Sequence, residues 1–186
     1  SYMGKRGKLD LDYWVLDYNL EKAKNQFKQV KPMLKAFEHW FGGYPFYKDG
    51  YKLVESPYLG MEHQSNVAYG NGYQNGYYGR DLSGTGVGMY WDFIIVHESG
   101  HEWFGNNITA QDKADMWIHE AFTTYSEVLF TESYMDKNAA NTYIKGLRKN
   151  ILNDQPIIGT YGVRKMGSMD QYIKGANMIH TIRQVI

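Results

Sequence analysis

Leu9, Leu11, Tyr13 and Val15 occupy every second position near the start of the chain, the period of a strand with one buried face. Read this way, residues 1–18 carry one strand into the domain. Asn19 then stands where a helix N-cap belongs, ahead of Leu20, Ala23 and Phe27 at helical spacing. Pro32 interrupts that pattern, Met33, Leu34, Phe37, Trp40 and Phe41 resume it, and Gly42-Gly43 ends it. Two strand-like runs follow at 51–56 and 63–69, joined by a short connection over 57–62.

Residues 69–88 carry no such period. They hold seven glycines and four tyrosines and predict an irregular surface loop, with tyrosines lining a substrate cleft as the sharper reading. No Lys-Ser/Thr pair follows these glycines, which argues against a phosphate cradle. From Trp91 the apolar spacing turns helical over 91–106, 114–135, 138–153 and 169–186. Strands early and helices late predict an α+β domain, a small N-terminal sheet followed by a mostly helical half.

Composition narrows the possible partners. Twenty basic and twenty acidic side chains cancel, so no charge excess points to nucleic acid or an anionic membrane. The apolar runs are too short for a membrane span. With no cysteine in 186 residues, a bound metal must use His, Asp or Glu. The length suits one domain. The chain opens on Ser1-Tyr2-Met3 and closes inside a helical pattern, so it reads as part of a longer protein. Its lack of a signal peptide therefore leaves the compartment open, and nothing in it fixes the oligomeric state.

The stretch V-H-E-S-G-H-E-W-F-G-N, residues 96–106, changes the picture. On a helix, His97 and His101 project from one face, and Glu98 lies about a quarter-turn round, beside a metal rather than on it. A catalytic zinc takes three protein ligands and leaves one position open. Glu102 points away from His101, so the third ligand must come from another element. Glu120 sits on the next helical pattern with eighteen residues between it and His101, enough for a turn and a return helix. Glu127 lies two turns further on and would miss, and His119 points a quarter-turn away from Glu120. His97, His101 and Glu120 form a ligand set of the thermolysin type. Such a zinc ion would activate water and polarise a carbonyl, with Glu98 as general base. Asp115, Thr124 and Glu127 are all candidates to support the histidines from behind, and sequence does not choose among them. His39, His63 and His180 have no partner pattern and are expected at surface or satisfied polar positions.

The blocks L-G-M-E-H-Q-S, H-E-S-G-H-E-W-F-G-N, W-I-H-E-A-F and Y-I-K-G-A occur in this order. Together they resemble the gluzincin aminopeptidase family that includes aminopeptidase N and leukotriene hydrolase, over nearly the whole chain. The resemblance implies a thermolysin-like zinc domain, one zinc per chain, and peptides with a free N-terminus as substrates. It implies that Glu62 binds the substrate α-amine, with Gly60 and Met61 of the same block also against the substrate. It implies that Tyr172 hydrogen-bonds the oxyanion. It further implies an N-terminal β-rich domain and a C-terminal helical domain outside this segment. Leu59, His63, His119 and Ala121 depart from the family pattern, the first two on either side of Gly60-Met61-Glu62 and the last two on either side of Glu120. A thermolysin-type endopeptidase, or a domain that binds zinc and peptide without catalysis, are the competing expectations.

Overall fold

The computed structural model describes residues 1–186. The N-terminal alternation becomes three short strands instead of one. β1 (Tyr2–Gly4) and β2 (Gly7–Leu9) form an antiparallel hairpin around Lys5-Arg6, and β3 (Leu11–Trp14) leaves it for a second sheet. The hairpin is fastened by Glu38, whose carboxylate accepts from Lys5 N at 2.9 Å and Tyr2 Oη at 3.2 Å.

α1 (Leu20–Gln26) begins after Asn19, but that side chain does not cap it. Asn19 Nδ2 donates instead to Glu55 Oε1 at 2.6 Å. A 3-10 turn (Phe27–Gln29) leads into α2 (Val30–Phe41). Pro32 lies inside the first turn of α2, where a missing N–H costs no intrahelical bond, so the break falls earlier than the proline suggested. Gly42 ends α2 as expected.

β4 (Tyr51–Glu55), β5 (Gly60–Met61) and β6 (Val67–Tyr69) join β3 in a four-stranded sheet ordered β3-β4-β6-β5. β3, β4 and β6 run parallel, with α1 and α2 as the crossover from β3 to β4, and β5 pairs antiparallel at the edge. β5 falls within the expected connection, and the run at 63–69 shortens to its last three residues. The segment after β6 is irregular, as its composition predicts, but it is tied down. Asn71 Nδ2 donates to Asp92 Oδ1 at 2.9 Å and to Gly76 O at 2.8 Å, and Asn71 Oδ1 accepts from Tyr78 N.

The remaining chain is mostly helical: α3 (Phe93–Gly100), α4 (Met116–Tyr134), α5 (Lys137–Leu147) and α6 (Ile173–Val185). α3 stops well short of the expected 106, so His101 is its C-cap, still with right-handed helical backbone angles. α4 runs through the centre and packs against α2, α3, α5 and α6. α3 lies between α4 and the sheet, buried from Ile94 through Gly100. That burial follows from its composition, apolar all round at its start. Gly100 permits the close approach: a Cβ there would sit 2.6 Å from Ser126 Oγ of α4. The core around these elements is aromatic, with Phe37, Tyr44, Tyr51, Tyr69, Trp91, Phe130 and Tyr143 fully buried. No helix is long and apolar enough to cross a membrane.

Candidate metal centre and active site

Asp92 starts the helix that carries the centre. Its Oδ1 accepts from Ile94 N at 3.0 Å and Ile95 N at 3.3 Å, which satisfies two of the free N–H groups at the helix start. One and two turns on, His97 and His101 present their rings side by side, centroids 5.1 Å apart. α4 returns antiparallel in sequence order and brings Glu120 to both. Glu120 Oε2 lies 3.7 Å from His97 Nε2 and 3.4 Å from His101 Nε2.

The far side of each ring is already engaged. His97 Nδ1 pairs with Glu127 Oε1 at 2.7 Å, and His101 Nδ1 with Phe104 O at 3.0 Å. Each imidazole thus has its Nδ1 side held, and its Nε2 faces Glu120. Glu120 Oε2 is buried and has no hydrogen-bond partner. Two nitrogen donors and one orphaned carboxylate oxygen, all within 4.8 Å of one another, are a donor set that fits Zn²⁺. Burial alone would raise the Glu120 carboxyl, yet the His101 and His97 rings hold it well below the usual carboxylate range. Burial likewise opposes charge on both rings, but Glu120 beside each, and Glu127 beside His97, raise them above the ordinary imidazole value.

Among the three candidate supporting residues the structure selects Glu127, which also accepts from Tyr143 Oη at 2.7 Å. Asp115 is engaged with Tyr161 instead, at 2.8 Å. Thr124 Oγ1 has no partner, and Thr123 Oγ1 lies 3.2 Å from His101 Nδ1. His119 stays off the cluster, with Nε2 accepting from Ala110 N at 2.7 Å. His39 and His63 are exposed, while His180 is buried beside Tyr125 Oη at 3.2 Å.

Glu98 lies beside the cluster, 9% exposed. Burial raises its carboxyl, with the His97 and His101 rings pulling the other way. β5 passes against it: a Cβ on Gly60 would meet Glu98 Cγ at 3.0 Å and Ile94 Cγ2 at 2.8 Å, so only glycine lets the strand approach this closely. Met61 is 43% exposed, and Glu62 follows at the strand end, half-buried. The Glu62 carboxylate, the Glu98 carboxylate and a His101 ring nitrogen lie within 4.8 Å of one another. Tyr172, between a 3-10 turn (Met169–Gln171) and α6, stacks near His97 with centroids 6.1 Å apart. Burial and the nearby Glu120 carboxylate raise its phenol, which therefore keeps its proton.

A cavity of about 440 Å³ opens on the His97, Glu98 and Tyr172 side. Its wall includes Leu59, Phe93, Leu147 and one tyrosine of the glycine-rich segment, Tyr77. Of the other three, Tyr69 is in the core, Tyr73 packs on Phe27 with centroids 5.7 Å apart, and Tyr78 is exposed. Sequence reasoning missed Asn106, which donates from Nδ2 to Glu62 O at 2.9 Å. The only signal was its place at the end of the histidine block.

The family model for the peptidase family M1 domain matches residues 25–186. Aminopeptidase Ey of Gallus gallus is 30% identical over 134 residues, which covers 68% of this chain and 13% of the relative. Endoplasmic reticulum aminopeptidase 2 of Bos taurus is 26% identical over 103 residues, 50% of this chain and 11% of the relative. An M1 zinc metallopeptidase mutant from Deinococcus radiodurans, bound to a Tyr-Ser-Ala substrate, superposes with a TM-score of 0.62 at 25% identity, covering 85% of this chain and 33% of that one. Yeast LTA4 hydrolase with bestatin shares the fold at a TM-score of 0.71 and 17% identity, covering all of this chain and 30% of that one. The chain thus spans about an eighth of the curated relatives' length and a third of the solved structures. On the match over residues 25–186, it belongs to peptidase family M1.

Proposed function

We propose that residues 1–186 form the zinc-bearing part of a thermolysin-like catalytic domain that removes N-terminal residues from peptides. The observation that carries this reading is the convergence of the Glu62 and Glu98 carboxylates with His101 within 4.8 Å. A thermolysin-type ligand set needs only one carboxylate beside it as base. A second one, at the end of an edge strand, suits a cationic α-amine.

His97, His101 and Glu120 would hold one zinc ion. When bound, zinc lowers the pKa of a water ligand toward neutrality and polarises a carbonyl. Glu98 takes the proton of the attacking water and returns it to the leaving amine, a role that its burial and raised pKa favour. Glu62 binds the protonated amine and so admits a single residue ahead of the scissile bond. Tyr172 donates its phenol O–H to oxygen charge that develops on the substrate carbonyl, where such a donor contributes most. No covalent intermediate is needed. The Deinococcus relative with its bound Tyr-Ser-Ala supports a peptide as substrate.

The test compares an aminoacyl-anilide with its N-acetylated form in the zinc-loaded protein. Cleavage of the free amine only, lost in Glu98→Gln with zinc retained, is expected. Equal cleavage of both forms would favour an endopeptidase, and no turnover with zinc bound would leave a binding domain.

A further inference from the structure

Glu62 sits on a poorly supported piece of chain. β5 is two residues long and at the sheet edge, and β6 begins only at Val67. The residues between form a tight turn, Asn66 N to His63 O at 2.9 Å, with Ser65 at φ +56°. A non-glycine residue in that left-handed region stays there only if its surroundings hold it. Two side chains from the segment after α3 do so. Glu102, fully buried, accepts from Ser65 N through Oε1 at 2.7 Å. Asn106 donates from Nδ2 to the carbonyl of Glu62 itself at 2.9 Å.

Both residues belong to the same turn as His101. Glu102 follows it directly, and Asn106 N closes back on His101 O at 2.9 Å. The turn that carries one metal ligand thus grips the Glu62 loop at two points, at the backbone of Glu62 itself and three residues beyond it. Neither side chain is among those assigned to the metal or the reacting atoms.

We propose that Glu102 and Asn106 are positioning residues that set the distance from the amine anchor Glu62 to the metal centre, and so tune recognition of the substrate's free amine. This rests on the aminopeptidase reading of the site. It requires a probe in which the metal-binding group is constant and only the amine changes. Leucine hydroxamate and its desamino analogue, 4-methylpentanoic hydroxamate, are such a pair.

In the unsubstituted zinc-loaded protein, the amine-bearing hydroxamate inhibits more strongly. In Asn106→Ala, Asn106→Asp and Glu102→Leu that advantage should shrink about five- to tenfold, with the desamino inhibition constant and the zinc content unchanged. Glu102→Gln keeps an acceptor for Ser65 N–H and should restore the advantage. Asn106 is half-buried, so Asn106→Asp, which turns the donor into an acceptor, decides the matter even where Glu102→Leu fails to fold. An advantage that survives Asn106→Asp overturns the proposal, as does equal weakening of both inhibitors or loss of zinc. Absence of any advantage in the unsubstituted protein overturns the aminopeptidase reading instead.

Discussion

His97 Nδ1 and Glu127 Oε1 stand 2.7 Å apart across the contact between α3 and α4, and both residues are buried. Glu127 fixes which ring nitrogen of His97 carries the proton and leaves Nε2 directed at Glu120. The other Glu127 oxygen accepts from Tyr143 Oη, so the carboxylate is itself held from behind. Glu127→Ala should weaken zinc binding by about 10- to 100-fold, measured by competition with a chelator of known affinity. Glu127→Gln should weaken it less, because its amide oxygen still accepts the Nδ1 proton. Unchanged affinity in both would mean that packing alone orients the ring.

Gly60 allows a second test that leaves every polar group in place. A methyl at this position meets Ile94 Cγ2 at 2.8 Å and Glu98 Cγ at 3.0 Å. Ile94 is in the core and cannot retreat, so β5 or Glu98 must shift. Gly60→Ala is expected to retain zinc and to lower kcat by up to about 100-fold, the size of effect that a displacement near 1 Å produces. Steady-state kinetics with zinc analysis of the same sample checks this. Full activity would show that the strand yields without moving the carboxylate.

Much of this centre was legible in the sequence. His97, His101, Glu98 and Glu120 follow from helix geometry and one return of the chain, because a four-residue spacing on a helix leaves little freedom. Glu62 and Tyr172 came through the resemblance, and the structure brings both to the same cluster. The choice of Glu127 over Asp115 and Thr124 was not legible, since it depends on how α3 rolls against α4 near Gly100 and Ser126. Asn106 was invisible for a related reason: its partner is a backbone carbonyl 44 residues away. In the fold, the strand expected over residues 1–18 concealed a hairpin, because Gly4 and Gly7 flank a two-residue turn ahead of the alternation that begins at Leu9. Pro32 misled by its position, being harmless in a first helical turn.

Glu38 gives the fold a pH dependence away from the site. Its burial raises the carboxyl, but the Tyr47 hydroxyl, Tyr44 and Lys5 N–H groups and Tyr2 hydroxyl together hold it below the ordinary value. A depressed folded-state pKa stabilises the protein above the unfolded pKa and is lost as pH falls through the folded one. The hairpin β1-β2 should therefore loosen from α2 as pH drops from about 5 into the acid range. Glu38→Gln should already be weakened at neutral pH and should lose part of the acid-dependent decline. Hydrogen exchange of the Lys5 and Tyr44 amides over that range measures it directly, and identical pH profiles in the two proteins would discount Glu38.

Asp92 connects four separate parts of the chain, and its removal is the most demanding stability test. Oδ1 caps α3 and accepts from Asn71, and Oδ2 accepts from Gln26 Nε2 at 2.8 Å and Tyr69 Oη at 2.7 Å. Asp92→Ala removes the cap, for about 0.5–2 kcal/mol, and also strands buried donors on α1, β6 and the glycine-rich segment. We expect a total loss of about 3 kcal/mol or more, seen as a lower urea midpoint with an unchanged slope. Asp92→Asn should cost less, because one oxygen remains for the helix N–H groups while only the Gln26 contact turns donor against donor. The tyrosine hydroxyl can reverse and accept. The loss should carry into zinc affinity, since α3 bears both histidines and the ion binds only the folded chain. A midpoint that barely moves in Asp92→Ala would mean that the packing of Trp91, Ile94 and Ile95, not the cap, sets where this helix begins.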